Sequence, residues 1–320
     1  MSSSSYTPGQ PEARPAGPEL AQTLIFDVTQ DQITMTADTL AKIRPAYGPL
    51  IGFYSQVFAA QAVSRSHINL APIVIDDQLL ALKQENQMPL VSPDQFNIDL
   101  KEAQRLIQEI CSLAVSHAPK LAQAGEHLAG LLAGDDPNAR RPDLNALFSA
   151  LLNGEDITEM ADQYGMDTDA LSFFGFSAMA PSVQVCAAQL AVYLKETPAV
   201  PKSYCPVCGS LPDLAFLDES GRRLACCSLC NHIWQVPRMG CLFCDSNAPE
   251  DHQYFFSKEE PEFRVYCCAR CRHYVKTVDT RQMVRRFFPR LEQVTTLHLD
   301  IQAREKGYVR PGDDVSPSGP

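Results

Sequence analysis

Cys205-Pro-Val-Cys-Gly-Ser210 and Cys226-Cys-Ser-Leu-Cys-Asn-His-Ile-Trp234 are echoed further along the chain. The echoes are Cys241-Leu-Phe-Cys-Asp-Ser246 and Cys267-Cys-Ala-Arg-Cys-Arg-His-Tyr-Val275. The Ser, the doubled Cys and the His recur at matching places, so this stretch reads as one small module duplicated. Each copy holds two Cys-x-x-Cys turns, and two thiolates at i and i+3 can grip a metal ion from one side. A second turn completes a tetrahedral four-sulfur site. Between the turns lie 18 residues in the first copy and 23 in the second. Either gap suits a β-hairpin of the zinc-ribbon or rubredoxin kind. Spacing therefore assigns Cys205, Cys208, Cys227 and Cys230 to a first site, and Cys241, Cys244, Cys268 and Cys271 to a second. Interleaved pairing of the turns, or redox dithiols, are the alternatives; a thioredoxin-type dithiol needs a βαβ context that is missing around all four pairs.

The neighbours of these cysteines divide by role. Cys226 and Cys267 directly precede ligands and cannot readily reach the same ion, so they read as small packing residues, with redox assistance as the minority idea. His232 and His273 follow the fourth ligand of each site by two residues and are candidate hydrogen-bond donors around it, or exposed histidines. Gly209 suits a turn requiring positive φ, and Asp245 takes its place in the second copy. Trp234, the single tryptophan, is expected to pack between the modules.

Of the 12 cysteines only Cys111 and Cys186 lie elsewhere, on helical stretches, where burial is the expected fate. Such clustering opposes a secreted disulfide scaffold and favours a reducing compartment. The N-terminus shows no basic region followed by an apolar run, and no apolar run looks long enough for the roughly 20 residues that cross a bilayer. The expectation is a cytoplasmic protein without membrane insertion.

Residues 1–18 are rich in Ser, Pro and Gly and read as a disordered leader. A mostly helical domain is expected over 19–196. Its clearest helix is 99–117, where Asp99 caps and Ala103, Leu106, Ile107, Ile110 and Ala114 make one stripe. Others are expected at 38–66, 120–133, 142–152, 157–164, 168–179 and 182–196, with Pro181 separating the last two. Two prolines mark a linker at 197–202. The modules follow at 203–237 and 238–280, with short strands near 214–217, 223–225, 254–256 and 263–266. A helical segment spans 281–310, with a helix over about 288–306, and the tail is 311–320. The fold class is thus α+β and multidomain: a helical domain, two rubredoxin-like or zinc-ribbon modules, and a C-terminal helix.

Net charge is −11, unevenly spread. Residues 201–320 carry 16 basic and 15 acidic side chains, which leaves 11 basic and 23 acidic for residues 1–200. The acidic half is a poor partner for polyanions. One basic run, Arg264, Arg270, Arg272, Lys276, Arg281, Arg285, Arg286 and Arg290, contains only Asp279 as an acid and reads as a solvated face, or else a surface for an acidic partner. Glu259-Glu260 reads as solvated loop charge. No phosphate loop, catalytic triad or His-Glu-x-x-His is present, so no catalytic residue is assigned.

The flanking residues narrow a generic ribbon. Cys-Pro-Val-Cys-Gly-Ser at 205–210, Arg223-Leu before Cys227-Ser-Leu-Cys, Trp234 with Val236 and Arg238 leading into Cys241-Leu-Phe-Cys, and Cys268-Ala-Arg-Cys with Tyr274-Val-Lys276 resemble the bacterial formate dehydrogenase accessory proteins, the FdhE family. The segment Leu297 to Tyr308 is similar to that family's final helix. The doubled Cys226 and Cys267, Met239-Gly240 and the long leader depart from its pattern. The resemblance implies a helical domain followed by two rubredoxin-like modules. It also implies a non-catalytic cytoplasmic maturation factor required for formate dehydrogenase activity. Such a factor acts on the molybdenum- and selenocysteine-containing catalytic subunit before export by the twin-arginine pathway. It favours iron in the two four-cysteine sites; spacing alone admits zinc equally. No nucleic acid is an expected partner, and self-association is left open. A zinc-ribbon nucleic-acid binder and a rubredoxin-like electron-transfer protein are the alternatives.

Overall fold

The computed structural model describes residues 28–134, 140–194 and 203–312. The expected leader at 1–18, the linker at 197–202 and the tail beyond 312 lie outside the described residues. Helices come first and the sheet after them, as the sequence predicts. The helices are α1 (Gln30–Ile43), α2 (Gly48–His67), α3 (Asp77–Glu85), α4 (Leu100–His117), α5 (Pro119–Ala133), α6 (Leu144–Asn153), α7 (Thr158–Gln163) and α8 (Thr168–Leu190). Local chemistry sets several of their ends. Asp99 accepts from Glu102 N at 3.0 Å to start α4, and Asp143 accepts from Ala146 N at 3.0 Å to start α6. Gly154 closes α6 in the left-handed conformation at φ 67°.

Four expectations fail for identifiable reasons. The helix expected over 38–66 is two helices, because Arg44 precedes Pro45 and a residue before proline is pushed out of the α region; Arg44 sits at φ −128°, ψ 67°. Pro181 does not separate two helices but lies inside α8. Its ring leaves the carbonyl four residues back, that of Ser177, without a helical donor. Buried Gln61 on α2 supplies the replacement, donating from Nε2 to Ser177 O at 2.8 Å. As a result Thr168–Leu194 is long and apolar enough to cross a membrane, contrary to the sequence reading, yet 67% of its apolar window is buried inside the protein. The last helix is likewise split into α9 (Pro289–Val294) and α10 (Leu297–Glu305). Between them Thr295 and Thr296 turn their hydroxyls onto Leu291 O at 2.8 Å and Glu292 O at 2.7 Å, competing with the helical ladder.

The strands are β1 (Pro212–Leu217), β2 (Arg223–Cys227), β3 (Ile233–Gln235), β4 (His252–Phe255), β5 (Phe263–Cys268) and β6 (Tyr274–Asp279). They form one six-stranded sheet in the order β3-β2-β1-β6-β5-β4. Each copy of the repeat supplies three antiparallel strands, and the copies join through the parallel pair β1/β6. The second copy therefore follows the first by translation along the sheet.

The two sheet faces pack differently. Ala215, Ala225, Trp234 and Val275 join the core built on α4, α6 and α8. Leu214, Phe216, Leu224, Val265 and Val278 pack with Phe287, Leu299 and Ala303 from the C-terminal segment. Residues outside the sheet bind it further. Leu90 N and Val91 N each donate to the first cysteine turn, reaching Pro206 O and Val207 O at 3.0 Å.

Candidate metal centres

All four cysteine turns share one local geometry. The N–H of the first cysteine donates to the carbonyl five residues later: Cys205 to Ser210 at 2.8 Å, Cys227 to His232 at 2.9 Å, Cys241 to Ser246 at 2.9 Å and Cys268 to His273 at 3.0 Å. The residue after each second cysteine has positive φ: Gly209 78°, Asn231 60°, Asp245 53° and Arg272 62°. Three of these are not glycine, so closing the knuckle outweighs a strain of about 1–2 kcal/mol at each. The return is direction: both sulfurs of a turn, and some of its N–H groups, aim at one point. Cys230 N lies 3.4 Å from Cys227 Sγ, and Phe243 N lies 3.4 Å from Cys241 Sγ.

The tertiary fold then brings the turns together in the pairs that spacing predicts. Cys205, Cys208, Cys227 and Cys230 form one cluster and Cys241, Cys244, Cys268 and Cys271 the other, each with its sulfurs within 4.8 Å of one another. In the first, Sγ–Sγ distances are 3.7 Å for Cys205–Cys230, 3.5 Å for Cys208–Cys227 and 3.6 Å for Cys208–Cys230. In the second, Cys241–Cys271 is 3.6 Å and Cys244–Cys268 is 3.7 Å. A tetrahedral ion with metal–sulfur bonds of about 2.3 Å has sulfur–sulfur edges of about 3.8 Å, so both clusters could hold a metal ion. Interleaved pairing does not occur.

The two clusters sit in different surroundings. All four sulfur residues of the first are buried, in the core shared with Leu106, Phe148 and Trp234. Burial pushes the Cys205 and Cys230 thiols well up, while hydrogen bonds from its cysteine neighbours hold Cys208 far down. Such a sulfur set resists full ionisation without a cation among it. In the second cluster Cys268 is deeply buried and Cys241 is largely covered, while Cys244 and Cys271 are half-buried. Burial lifts Cys241 to about 11, whereas backbone N–H groups of Cys271 and Arg270 keep Cys268 below the usual thiol value despite its own burial.

The remaining candidates separate cleanly. Successive strand residues face opposite sides of a sheet. Cys227 thus turns to its cluster while Cys226 turns to the opposite face, and Cys268 and Cys267 behave the same way. Burial raises the Cys226 thiol and lifts Cys267 to about 11. His232 is buried beside the first cluster, and that burial lowers it to about 4, so it stands neutral there. His273 is half-buried, edge-on to Phe243 at 5.6 Å. Cys111 and Cys186 are buried on α4 and α8 away from both clusters, and burial lifts Cys111 to about 12.

The basic run is not simply a solvated face. Lys276 is 1% exposed and pairs with Asp300 at 2.8 Å; Arg285 pairs with buried Glu292; Arg281 pairs with Asp279 at 2.7 Å. Arg272 donates to Gly307 O at 2.8 Å, and Arg290 to Asn231 Oδ1 at 3.0 Å. Arg270 and Arg286 remain exposed. Glu260 is also not free loop charge. It pairs with Arg44 at 2.6 Å and with His298 at 2.7 Å, tying the loop before β5 to the end of α1 and the start of α10. Partners 38 to 251 residues away, such as Tyr47 for His298, leave no local signature that sequence reading could find.

A helical region joined to a duplicated four-cysteine sheet defines the class of protein. Comparisons with known proteins narrow it. No protein-family model matches the chain. It is similar to a "Protein FdhE homolog" of Aquifex aeolicus, 24% identical over 271 residues, which is 83% of this chain and 87% of that protein. A "Protein FdhE homolog" of Haemophilus ducreyi is 32% identical over 111 residues, 34% of this chain and 36% of that protein. Among solved structures, the FdhE protein from Pseudomonas aeruginosa shares the fold with a TM-score of 0.58 and 21% identity, over 91% of this chain and 98% of that one. The resemblance to FdhE proteins thus extends over most of the chain in sequence and in fold.

Proposed function

We infer that this protein is an accessory factor of formate dehydrogenase maturation. It binds the catalytic subunit in the cytoplasm before export and carries one metal ion in each four-cysteine cluster. The observation that carries this reading is the pairing of two assembled sulfur clusters with an FdhE-like sequence over 83% of the chain. Cys205, Cys208, Cys227 and Cys230 would hold one ion, and Cys241, Cys244, Cys268 and Cys271 the other. The resemblance favours iron, and zinc is the alternative that the same donors accept.

A non-catalytic role is supported by the donor count. Catalytic metal sites keep a coordination position open for water or substrate, whereas four cysteine sulfurs complete a tetrahedron. The ions would then fix the sheet and its knuckles, and the partner would be met by the surface they shape.

The test is a pull-down with tagged formate dehydrogenase catalytic subunit, together with formate dehydrogenase activity in a strain lacking this gene. Co-purification and loss of activity are expected. Absence of both, with two metal ions bound per chain, would leave a metalloprotein with some other role.

A further inference from the structure

Arg223 opens β2 in the first copy of the repeat, yet its guanidinium lies against the second cluster. The residue is 4% exposed. Its Nη1 reaches the Gly240 carbonyl, just before Cys241, at a long 3.5 Å, and its Nε has no hydrogen-bond partner. The guanidinium carbon stands 5.1 Å from the centre of the Tyr266 ring. Among the described residues no carboxylate pairs with it. Together with Cys241, Cys268 and His252 it lines a cavity of about 60 Å³ whose wall contains no acidic side chain.

A buried guanidinium with no anion beside it is costly and rare. Burial does pull its pKa down, to about 10, but leaves it charged at neutral pH. The missing anion is supplied once the neighbouring cluster is loaded, as this chain's sulfurs allow. Four thiolates around a divalent ion carry a net charge of −2, and around a trivalent ion −1. Arg264 holds the matching place in the second copy, and it lies half-buried over the Tyr254 ring at 6.0 Å. The cation is therefore specific to one cluster.

We propose that Arg223 is the fixed counter-charge of the second four-cysteine site: the first copy of the repeat supplies the cation that neutralises the metal-thiolate group of the second. Loading the half-exposed site then satisfies a charge already buried in the fold, and couples the two copies across their junction. The inference rests on the metal reading of both clusters.

The test uses the full chain reconstituted with Zn²⁺ and follows release to a chromophoric chelator for wild type, Arg223→Gln, Arg223→Met and Arg223→Lys. Removing a residue that supports a metal's ligands typically costs 10- to 100-fold in affinity. One of the two zinc equivalents is expected to weaken by about that factor in Arg223→Gln and Arg223→Met, with Arg223→Lys recovering most of it. In a background lacking the second site (Cys268→Ser with Cys271→Ser) the same substitutions should leave the remaining equivalent unchanged. Loading with Ga³⁺ halves the cluster's charge and should shrink the effect of Arg223→Gln to about the square root of its Zn²⁺ value, which lost packing alone would not do. Unchanged release of both equivalents, equal weakening of both, or an effect of the same size with Ga³⁺ overturns the proposal. If wild type binds no zinc, the metal reading fails instead. If Arg223→Gln and Arg223→Met do not fold even with both sites loaded, Arg223→Lys decides: near-wild-type release of both zinc equivalents supports the proposal, and a 10- to 100-fold weakening of one overturns it.

Discussion

Removing the first metal grip should unfold more than the knuckle it belongs to. The perturbation is Cys227→Ser with Cys230→Ser, set against Cys268→Ser with Cys271→Ser. In the first cluster the four cysteines are buried in the same core as α4, α6 and α8, and Leu90 and Val91 hydrogen-bond directly to the Cys205 turn. A structural four-cysteine site contributes on the order of 10–16 kcal/mol of apparent binding energy, which is also folding energy. Whole domains are stable by only about 5–15 kcal/mol. Loss of the first site is therefore expected to remove most of the stability of the helical core as well. Loss of the second site touches a cluster whose cysteines lie outside the helical core and of which Cys244 and Cys271 are only half-buried, and the helices should survive it. Metal analysis should read one equivalent in either variant, against two in wild type. Thermal melts followed at helical wavelengths should then separate them, with a large drop for the first pair and a small one for the second. Equal melts for the two variants, or two equivalents retained in either, would refute the reasoning.

Other outcomes follow from the same structure. A chelator should strip one metal equivalent quickly and the other slowly, because the second cluster is half-exposed and the first is buried; single-phase release would contradict this. Gln61→Leu should cost about 1–3 kcal/mol in chemical denaturation, since it leaves the Ser177 carbonyl at Pro181 buried without a donor. Lys276 is buried against Asp300, with Tyr274 and Arg310 on the same carboxylate, and burial lowers it to about 8. Between pH 8 and its ordinary value near 10.5 the unfolded chain binds the extra proton, so this lysine makes stability rise with pH there, by at most about 1.4 kcal/mol per pH unit. Comparing wild type with Lys276→Met across that window should show the slope only in wild type. Cys111 and Cys186 should resist alkylation at pH 8 until the protein is denatured, because burial keeps both thiols protonated.

The sulfur clusters were readable from the chain because a Cys-x-x-Cys knuckle is a local object. Its spacing fixes which sulfurs share a turn, and the repeat fixes which turns share a copy. Asp99 was legible for the same reason, since a cap acts within one turn of helix. Strand β3 and most of β6 carried no clear alternation, because the helical core packs on one face of the sheet and the C-terminal segment on the other; all six residues of β6 are buried. Pro181 misled because its cost is met by Gln61, a residue 120 positions earlier. Glu260 and Lys276 misled in the same way, through Arg44 and Asp300.

What the sequence determined by itself was the grouping of eight cysteines into two sets of four and the order of helices before sheet. Both depend on contacts between residues near one another in the chain, where spacing and periodicity are enough. Only the tertiary structure decided that the two copies form a single sheet, that one cluster is sealed in the helical core while the other stands half-open, and that Arg223 of one copy serves the cluster of the other. Those properties come from burial and from charges brought together across the fold, and no local pattern records the dielectric or the partner that a side chain will meet.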